Sequence, residues 1–290
     1  MTSSAALKRL QQIFPDDSRL LYVDCGARKG KLPRPFRALK QAHYVGVEAD
    51  AEECRRLNDE ARPRHRYIHA VLGRAAETRT FRITRSPACA SLFQPNHEFL
   101  SQFREIAGGF EVERETAIET MSLDACLAAN DVARADFIEL DVQGGELDVL
   151  MGAERTLDGT LGIQVEVEFA PMYVGQPLFA DIDGFLRARG FQLFDLSRYH
   201  VRRSGATPTR GQLLWGHALY LRDYRTLAPA LAARLAVVAV VLDLRDLAVD
   251  ITASIVASLS SDRQWSANRA LDAIRETAEG TVQDRPVWRD

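Results

Sequence analysis

Residues 20–30, LLYVDCGARKG, constrain the fold more than any other stretch of the chain. The apolar run Leu20–Val23 ends in Asp24, and Gly26 and Gly30 then bracket a loop of small and basic residues. A short apolar run closed by turn residues predicts a buried parallel strand that turns sharply. Glycine permits the turn and removes the side chain that would hold a ligand away from the backbone. A second run, HYVGVE (His43–Glu48), ends in an acid 18 residues after Gly30. In doubly wound sheets an acid at about that distance hydrogen-bonds ribose hydroxyls.

Strand and helix patterns then alternate. Ala5–Phe14 has helical spacing, and Leu32–Lys40 reads as a short helix with Pro33 and Pro35 in its first turn. Asp50–Glu60 reads as a helix capped by Asp50, and His65–Leu72 as a third strand. Arg79–Thr84 and Phe110–Met121 alternate as extra strands, and between them residues 86–110 are irregular. So long a connection is more often functional than idle. Ser122–Asn130 opens with a good N-cap, Asp136–Val142 is a fourth core strand, and Glu146–Leu157 carries a helical stripe. Leu161–Phe169 is a fifth strand, and Phe179–Arg189 is a helix stopped by Gly190. Two long strands follow, Phe191–Tyr199 and Leu213–Arg222, with only a polar turn between them, so they should pair antiparallel. The pattern implies an α/β fold: a mostly parallel sheet with helices on both faces. Residues 1–225 form that domain with an N-terminal helix. Residues 226–290, rich in Ala, Leu and Val, form a C-terminal helical extension that can cover the sheet or bind a second copy of the chain.

The totals exclude several classes. A net charge of −3 and a pI near 6.1 leave no basic footprint for nucleic acid. The four cysteines form no CxxC pair and no zinc spacing, which suits a reducing cytoplasm. Arg234 and Asp243 interrupt the most hydrophobic stretch, Leu227–Leu244, so no membrane span is expected. The N-terminal residues are too polar for a signal peptide.

The first loop bears on the cofactor. The dinucleotide fingerprint delivers a pyrophosphate to a helix N-terminus. Here the pattern is Asp24-x-Gly26-Ala27-x-x-Gly30, with an acid before the loop. A carboxylate repels a pyrophosphate and suits the ammonium or sulfonium of S-adenosylmethionine (SAM). An NAD-dependent oxidoreductase on a similar sheet is the alternative. Strands four and five put Asp141, Glu166 and Glu168 near the carboxyl edge of the sheet, where such folds bind ligands.

VDCGARKG resembles the first loop of the FkbM family of class I SAM-dependent methyltransferases, and Glu48 in VGVEAD matches that family's acid after strand two. SLDACL is similar to its "tLD" helix start. FIELDVQGGELDVLMGA resembles its most diagnostic stretch, with Asp141, Gly144, Glu146, Leu150, Gly152 and Ala153 in place. The resemblance covers about residues 20–200. It implies a Rossmann-like class I sheet of seven strands and O-methylation of a hydroxyl on a sugar, glycan or secondary metabolite. It also implies that Asp24, Gly26, Ala27 and Gly30 shape the methionine loop, that Glu48 holds the ribose, and that Ala70 and Val71 flank the adenine. Asp141 then contacts cofactor and acceptor or serves as base, and Glu146 joins it as a catalytic candidate.

Three positions depart from the family pattern. Glu139 stands where a lysine is usual, Gln143 where a glutamate is usual, and Arg28 where an asparagine is usual. Gln143 cannot act as a base, so a SAM-fold subunit whose catalysis has lapsed is a further alternative. Glu166 and Glu168 share one strand face and with Asp141 could hold Mg²⁺, although two such acids serve equally well in ion pairs, and no metal ligand is assigned. His97 in the irregular loop is a candidate base, and Phe93, Phe99 and Phe103 line either a substrate slot or a small satellite core.

Overall fold

The computed structural model describes residues 4–13, 19–28, 30–203 and 210–276. Its elements run α1 (Ser4–Ile13), β1 (Leu21–Cys25), β2 (His43–Glu48), α2 (Ala51–Asp59), β3 (His65–His69), β4 (Val71–Leu72) and β5 (Thr78–Thr84). Then come α3 (His97–Leu100), α4 (Arg104–Ala107), β6 (Val112–Met121), α5 (Leu123–Ala129), β7 (Phe137–Leu140), α6 (Glu146–Met151), α7 (Glu154–Gly159) and β8 (Gly162–Glu168). The chain continues through α8 (Phe179–Arg187), β9 (Phe191–Leu196), β10 (Tyr199–Val201), β11 (Gln212–Arg222), α9 (Pro229–Val241), α10 (Arg245–Val256) and α11 (Ser261–Glu276).

The main sheet has the order β10-β11-β8-β7-β1-β2-β3, with β9 also on β11. The pairs β3–β2, β2–β1, β1–β7 and β7–β8 are parallel. β11 runs antiparallel to β8, β9 and β10. Because β9 pairs with Ala218–Arg222 and β10 with Gln212–Trp215, the two lie end to end along one edge of β11. The eight strands therefore fill seven ranks, and the expected strand Phe191–Tyr199 is broken into β9 and β10. The expected third strand is also divided: β4 leaves the main sheet and joins β5 and β6 in a small three-stranded sheet.

Two expected helices differ. Leu32–Lys40 forms only a 3₁₀ turn at Phe36–Ala38. Pro33 and Pro35 contribute no amide donors, and buried Phe36 is anchored 4.9 Å from the rings of both Tyr22 and Phe137. The helix expected over Glu146–Leu157 is split into α6 and α7 at Gly152-Ala153.

The sheet's two faces follow the period of two along each strand. One face presents Val23, Val45, Ile138, Val165 and Val167 to residues of α5, α6, α7 and α8, among them Leu127, Val149, Leu157 and Leu186. The other presents Tyr22, Tyr44, Phe137, Leu219 and Leu221 to α1, α9, α10 and α11, through Leu10, Leu235, Val238, Ile251 and Ile274. The apolar residues of α9 are thus taken up within the chain. Among the described residues no helix is long and apolar enough to cross a membrane.

The charge inside α9 has a specific partner. Arg234 is 8% exposed and pairs with Asp136, which is fully buried at the head of β7. Asp136 Oδ2 also accepts the Leu21 amide at 2.7 Å, and its carbonyl accepts the Leu161 amide at 2.9 Å. Burial raises the Asp136 carboxyl pKa on balance, against the opposing pull of Arg234, the Leu21 amide and Arg134. Removing one partner of such a pair leaves an uncompensated buried charge. Arg234→Ala should therefore destabilise the protein by about 3–5 kcal/mol in urea unfolding, and Arg234→Met combined with Asp136→Asn by clearly less. Equal losses in the single and double variants would contradict the pairing.

Candidate active site

Four neighbouring strand ends are laced together by backbone hydrogen bonds. The Gly26 and Ala27 amides both donate to the Val47 carbonyl at 3.0 Å, the Asp141 amide donates to the Cys25 carbonyl at 3.0 Å, and the Ala70 amide donates to the Glu48 carbonyl at 3.1 Å. Gly26 has φ +94°, and a Cβ there would fall 1.9 Å from the Asp141 carbonyl oxygen, so only glycine admits this turn. The result brings Gly26, Ala27, Glu48, Ala70 and Asp141 to one carboxyl edge. Val71, next to Ala70, turns away into β4.

The acids at this edge have different surroundings. Glu48 is 4% exposed and its Oε1 accepts the Asp50 amide at 2.8 Å. Burial raises its pKa, while that amide and Arg28 work in the other direction. Asp50 caps α2 by accepting the Glu52 and Glu53 amides, as expected. Asp24 points into the sheet face. Its Oδ2 accepts the Tyr44 hydroxyl, and Gly30 lies directly above, where a Cβ would sit 2.8 Å from that oxygen. Burial and the charge of Glu139 push the Asp24 carboxyl well above its ordinary range. Asp24 is thus held by Tyr44 within the sheet, and the acids that stand at the ends of β2 and β7 are Glu48 and Asp141.

A second group forms across β7, β8 and β11. Glu166 stands opposite His217 and Glu168 opposite Trp215. Asp141 follows β7, whose Leu140 pairs with Val165, and so extends the Glu166 row. The Gln143 side-chain nitrogen donates to Asp141 Oδ1 and to Glu166 Oε2, each at 2.7 Å. His217 Nε2 lies 3.9 Å from Glu166 Oε1. Gln143 adopts φ +59° and Gly144 φ +96°, a tight left-handed turn. The irregular segment 86–110 docks on it, with Ser91 Oγ donating to the Gln143 carbonyl at 2.6 Å. The Tyr173 hydroxyl sits 3.1 Å from Gln143 Oε1 and 3.0 Å from the Cys89 carbonyl.

Glu146 holds this turn from within. It is 1% exposed, and its Oε1 accepts the Val142 amide at 2.8 Å and the Gly144 amide at 3.2 Å. Burial first, and the charge of Asp141, push its pKa up to about 8. Burial also drives Glu166 and Glu168 well upward. Glu146 thus braces the turn that carries Gln143. His97 is exposed at the start of α3 and takes no part in the acid group. Phe93, Phe99 and Phe103 pack with Phe110, Tyr173 and Leu214 in a satellite core. His217 was not among the expected site residues. It occupies every second position with Trp215 in an alternating strand, but only the β8–β11 register sets it opposite Glu166. Two surface clefts of about 480 and 470 Å³ open at the opposite edge of the sheet, around Val132 and His43, away from these acids.

The sign of the pH dependence follows from Glu146. Its folded pKa, about 8, lies above its ordinary value of 4.5, so the native state holds the extra proton between these limits. That contribution to stability is complete below about pH 4.5 and is lost as pH rises through 8. Wild type should lose stability between pH 5.5 and 7.5 in urea unfolding. Glu146→Gln should make the fall shallower by about 1–2 kcal/mol. An unchanged slope in the variant would reject this assignment.

Comparison with known proteins gives three results. The chain matches the model of the methyltransferase FkbM domain over residues 24–193. No curated protein sequence matches it. Solved structures that are similar in part include a TehB-like SAM-dependent methyltransferase from Corynebacterium glutamicum, at 10% identity and TM-score 0.36, covering 76% of this chain and 88% of that one. Magnesium protoporphyrin IX methyltransferase from Synechocystis gives 13% identity, TM-score 0.37 and coverages of 76% and 79%. Human methyltransferase-like protein 13 gives 11%, 0.34, 98% and 94%. The domain match spans more than half of the chain and contains the β1 loop, Glu48, the Gln143 turn and both β8 acids, and on that ground the chain belongs to the FkbM methyltransferase domain family.

Proposed function

We propose that the protein is a SAM-dependent methyltransferase that methylates a hydroxyl group on a sugar, glycan or secondary metabolite. The observation that carries this reading is the meeting of Gly26, Ala27, Glu48, Ala70 and Asp141 at one carboxyl edge. The donor set suits SAM. Acids at the ends of β2 and β7 favour a ribose diol and a cationic methionine end, and they oppose the pyrophosphate of NAD. Ala27 and Ala70 are small enough to let flat or close-lying groups approach.

When bound, SAM supplies a methyl group already activated on a sulfonium. What the chain must add is alignment and proton removal. Glu48 holds the ribose end, with its second oxygen available once Oε1 has taken the Asp50 amide. Asp141 stands at the reacting end, where Gln143 fixes one carboxylate oxygen and leaves the other to meet an acceptor hydroxyl. The turn at Gln143 and Gly144, held by Glu146 below and Ser91 above, sets the angle of Asp141. The acceptor then lies against segment 86–110 and residues 169–178. A lapsed subunit fits less well, because Gln143 leaves Asp141 in place and oriented.

Two measurements test this. S-adenosylhomocysteine should raise the thermal midpoint and NAD should not. A shift with NAD alone would overturn the reading. Glu48→Ala should weaken S-adenosylhomocysteine binding by about tenfold or more with an unchanged circular dichroism spectrum. Unchanged affinity would remove Glu48 from the site.

A further inference from the structure

Asp141, Glu146, Glu166 and Glu168 crowd one end of the sheet. Among the described residues none of them pairs with a lysine or arginine, and the only ion-pair contact is that of Glu166 with His217. Glu146, Glu166 and Glu168 are at most 6% exposed. Neither oxygen of Glu168 has a hydrogen-bond partner, and the side-chain nitrogen of Gln176 beside it is also unpartnered. Buried carboxylates without counter-charge cost several kcal/mol each, of order, so protons or a cation must answer them.

The geometry favours a cation at one end of the group. One donor atom from each of Asp141, Glu166 and His217 lies within 4.8 Å of the other two. Gln143 bridges one oxygen of each carboxylate, and Glu166 Oε1 faces His217 Nε2 at 3.9 Å. Ligands held at about 2.1 Å from a metal stand roughly 3–4 Å apart, so a small contraction completes the set. Gln143 acts as the outer hydrogen-bond partner that orients both carboxylates. Glu168, two residues along the same face of β8, is fully buried beside Gln176 and within reach of the charges of Asp141 and Glu166.

We propose that Asp141, Glu166 and His217 bind a divalent transition-metal ion. The mixed imidazole and carboxylate donors select Mn²⁺ or Zn²⁺ over Mg²⁺, which prefers an all-oxygen shell. The site stands on the donors alone and does not require the methyl-transfer reading.

The test uses the full-length chain freed of metal with EDTA. Mn²⁺ is titrated in while the electron paramagnetic resonance signal of the free ion is followed, and Mg²⁺ is titrated by calorimetry. The expected result is one Mn²⁺ per chain, with Mg²⁺ at least about tenfold weaker. His217→Ala and Glu166→Gln should each weaken Mn²⁺ by about tenfold or more while keeping the wild-type circular dichroism spectrum. No saturable Mn²⁺ binding by wild type, or variants that bind as tightly as wild type, would overturn the site. Because no S-adenosyl compound is present, this failure is distinct from failure of the methyltransferase reading.

Discussion

The buried pair of Asp136 and Arg234 ties the two layers of this fold to one point. Asp136 heads the central strand β7, and its carboxylate and carbonyl take the first amide of β1 and the amide of Leu161, just before β8. Arg234 brings α9 onto the same carboxylate. One end of β7 is thereby fixed against both strand neighbours and the helical layer. Its other end delivers Asp141. The placement of that side chain therefore depends on an ion pair at the far end of its own strand, because a short strand paired on both sides is stiff along its length.

That anchoring divides one sheet face into two zones. Along β11 the face reads Leu221, Leu219, His217, Trp215, and along β7 it reads Phe137, Glu139, Asp141. The first residues of each series are buried under α9 and its neighbours. The later ones are polar except Trp215, which packs against the satellite core. The helical layer thus covers the apolar zone and stops where the acids begin. In the acid zone, desolvation and mutual repulsion raise the proton affinity of Glu146, Glu166 and Glu168 together. For Glu166 and Glu168 this electrostatic tension follows from their place on one face of a strand that is otherwise core, and Glu146 at the start of α6 shares it.

Much of this was legible in the chain. The apolar runs before Asp24 and Glu48 and before Asp141 located three strands and the edge where they end, because buried parallel strands need no partner information to be recognised. The Asp50 cap and the Gly190 stop were equally local. The pairing of the last strands followed from the absence of a helix between them. What local pattern could not give was register and long-range pairing. His217 gains its place only from β11 lying antiparallel to β8. Arg234 read as an interruption in an apolar helix until Asp136, about a hundred residues away, supplied its counter-charge. The direction of Asp24, under Tyr44, likewise depends on a neighbour strand. Leu32–Lys40 failed as a helix because anchoring Phe36 outweighs a helical pattern that the prolines had already weakened.

The strand β8 reads Gly-Ile-Gln-Val-Glu-Val-Glu and is buried on both faces. A strand buried on both faces is usually uniformly apolar, and its register is then weakly specified. Here a slip of one residue would drive Glu166 and Glu168 into the cluster around Val149 and Leu186, and would turn Val165 and Val167 toward Asp141. Placing the carboxylates in that apolar cluster carries a heavy desolvation cost. The alternation of β8 thus discriminates against misaligned sheets during folding, so the same carboxylates that furnish the site also specify which alignment of the central strands can be native.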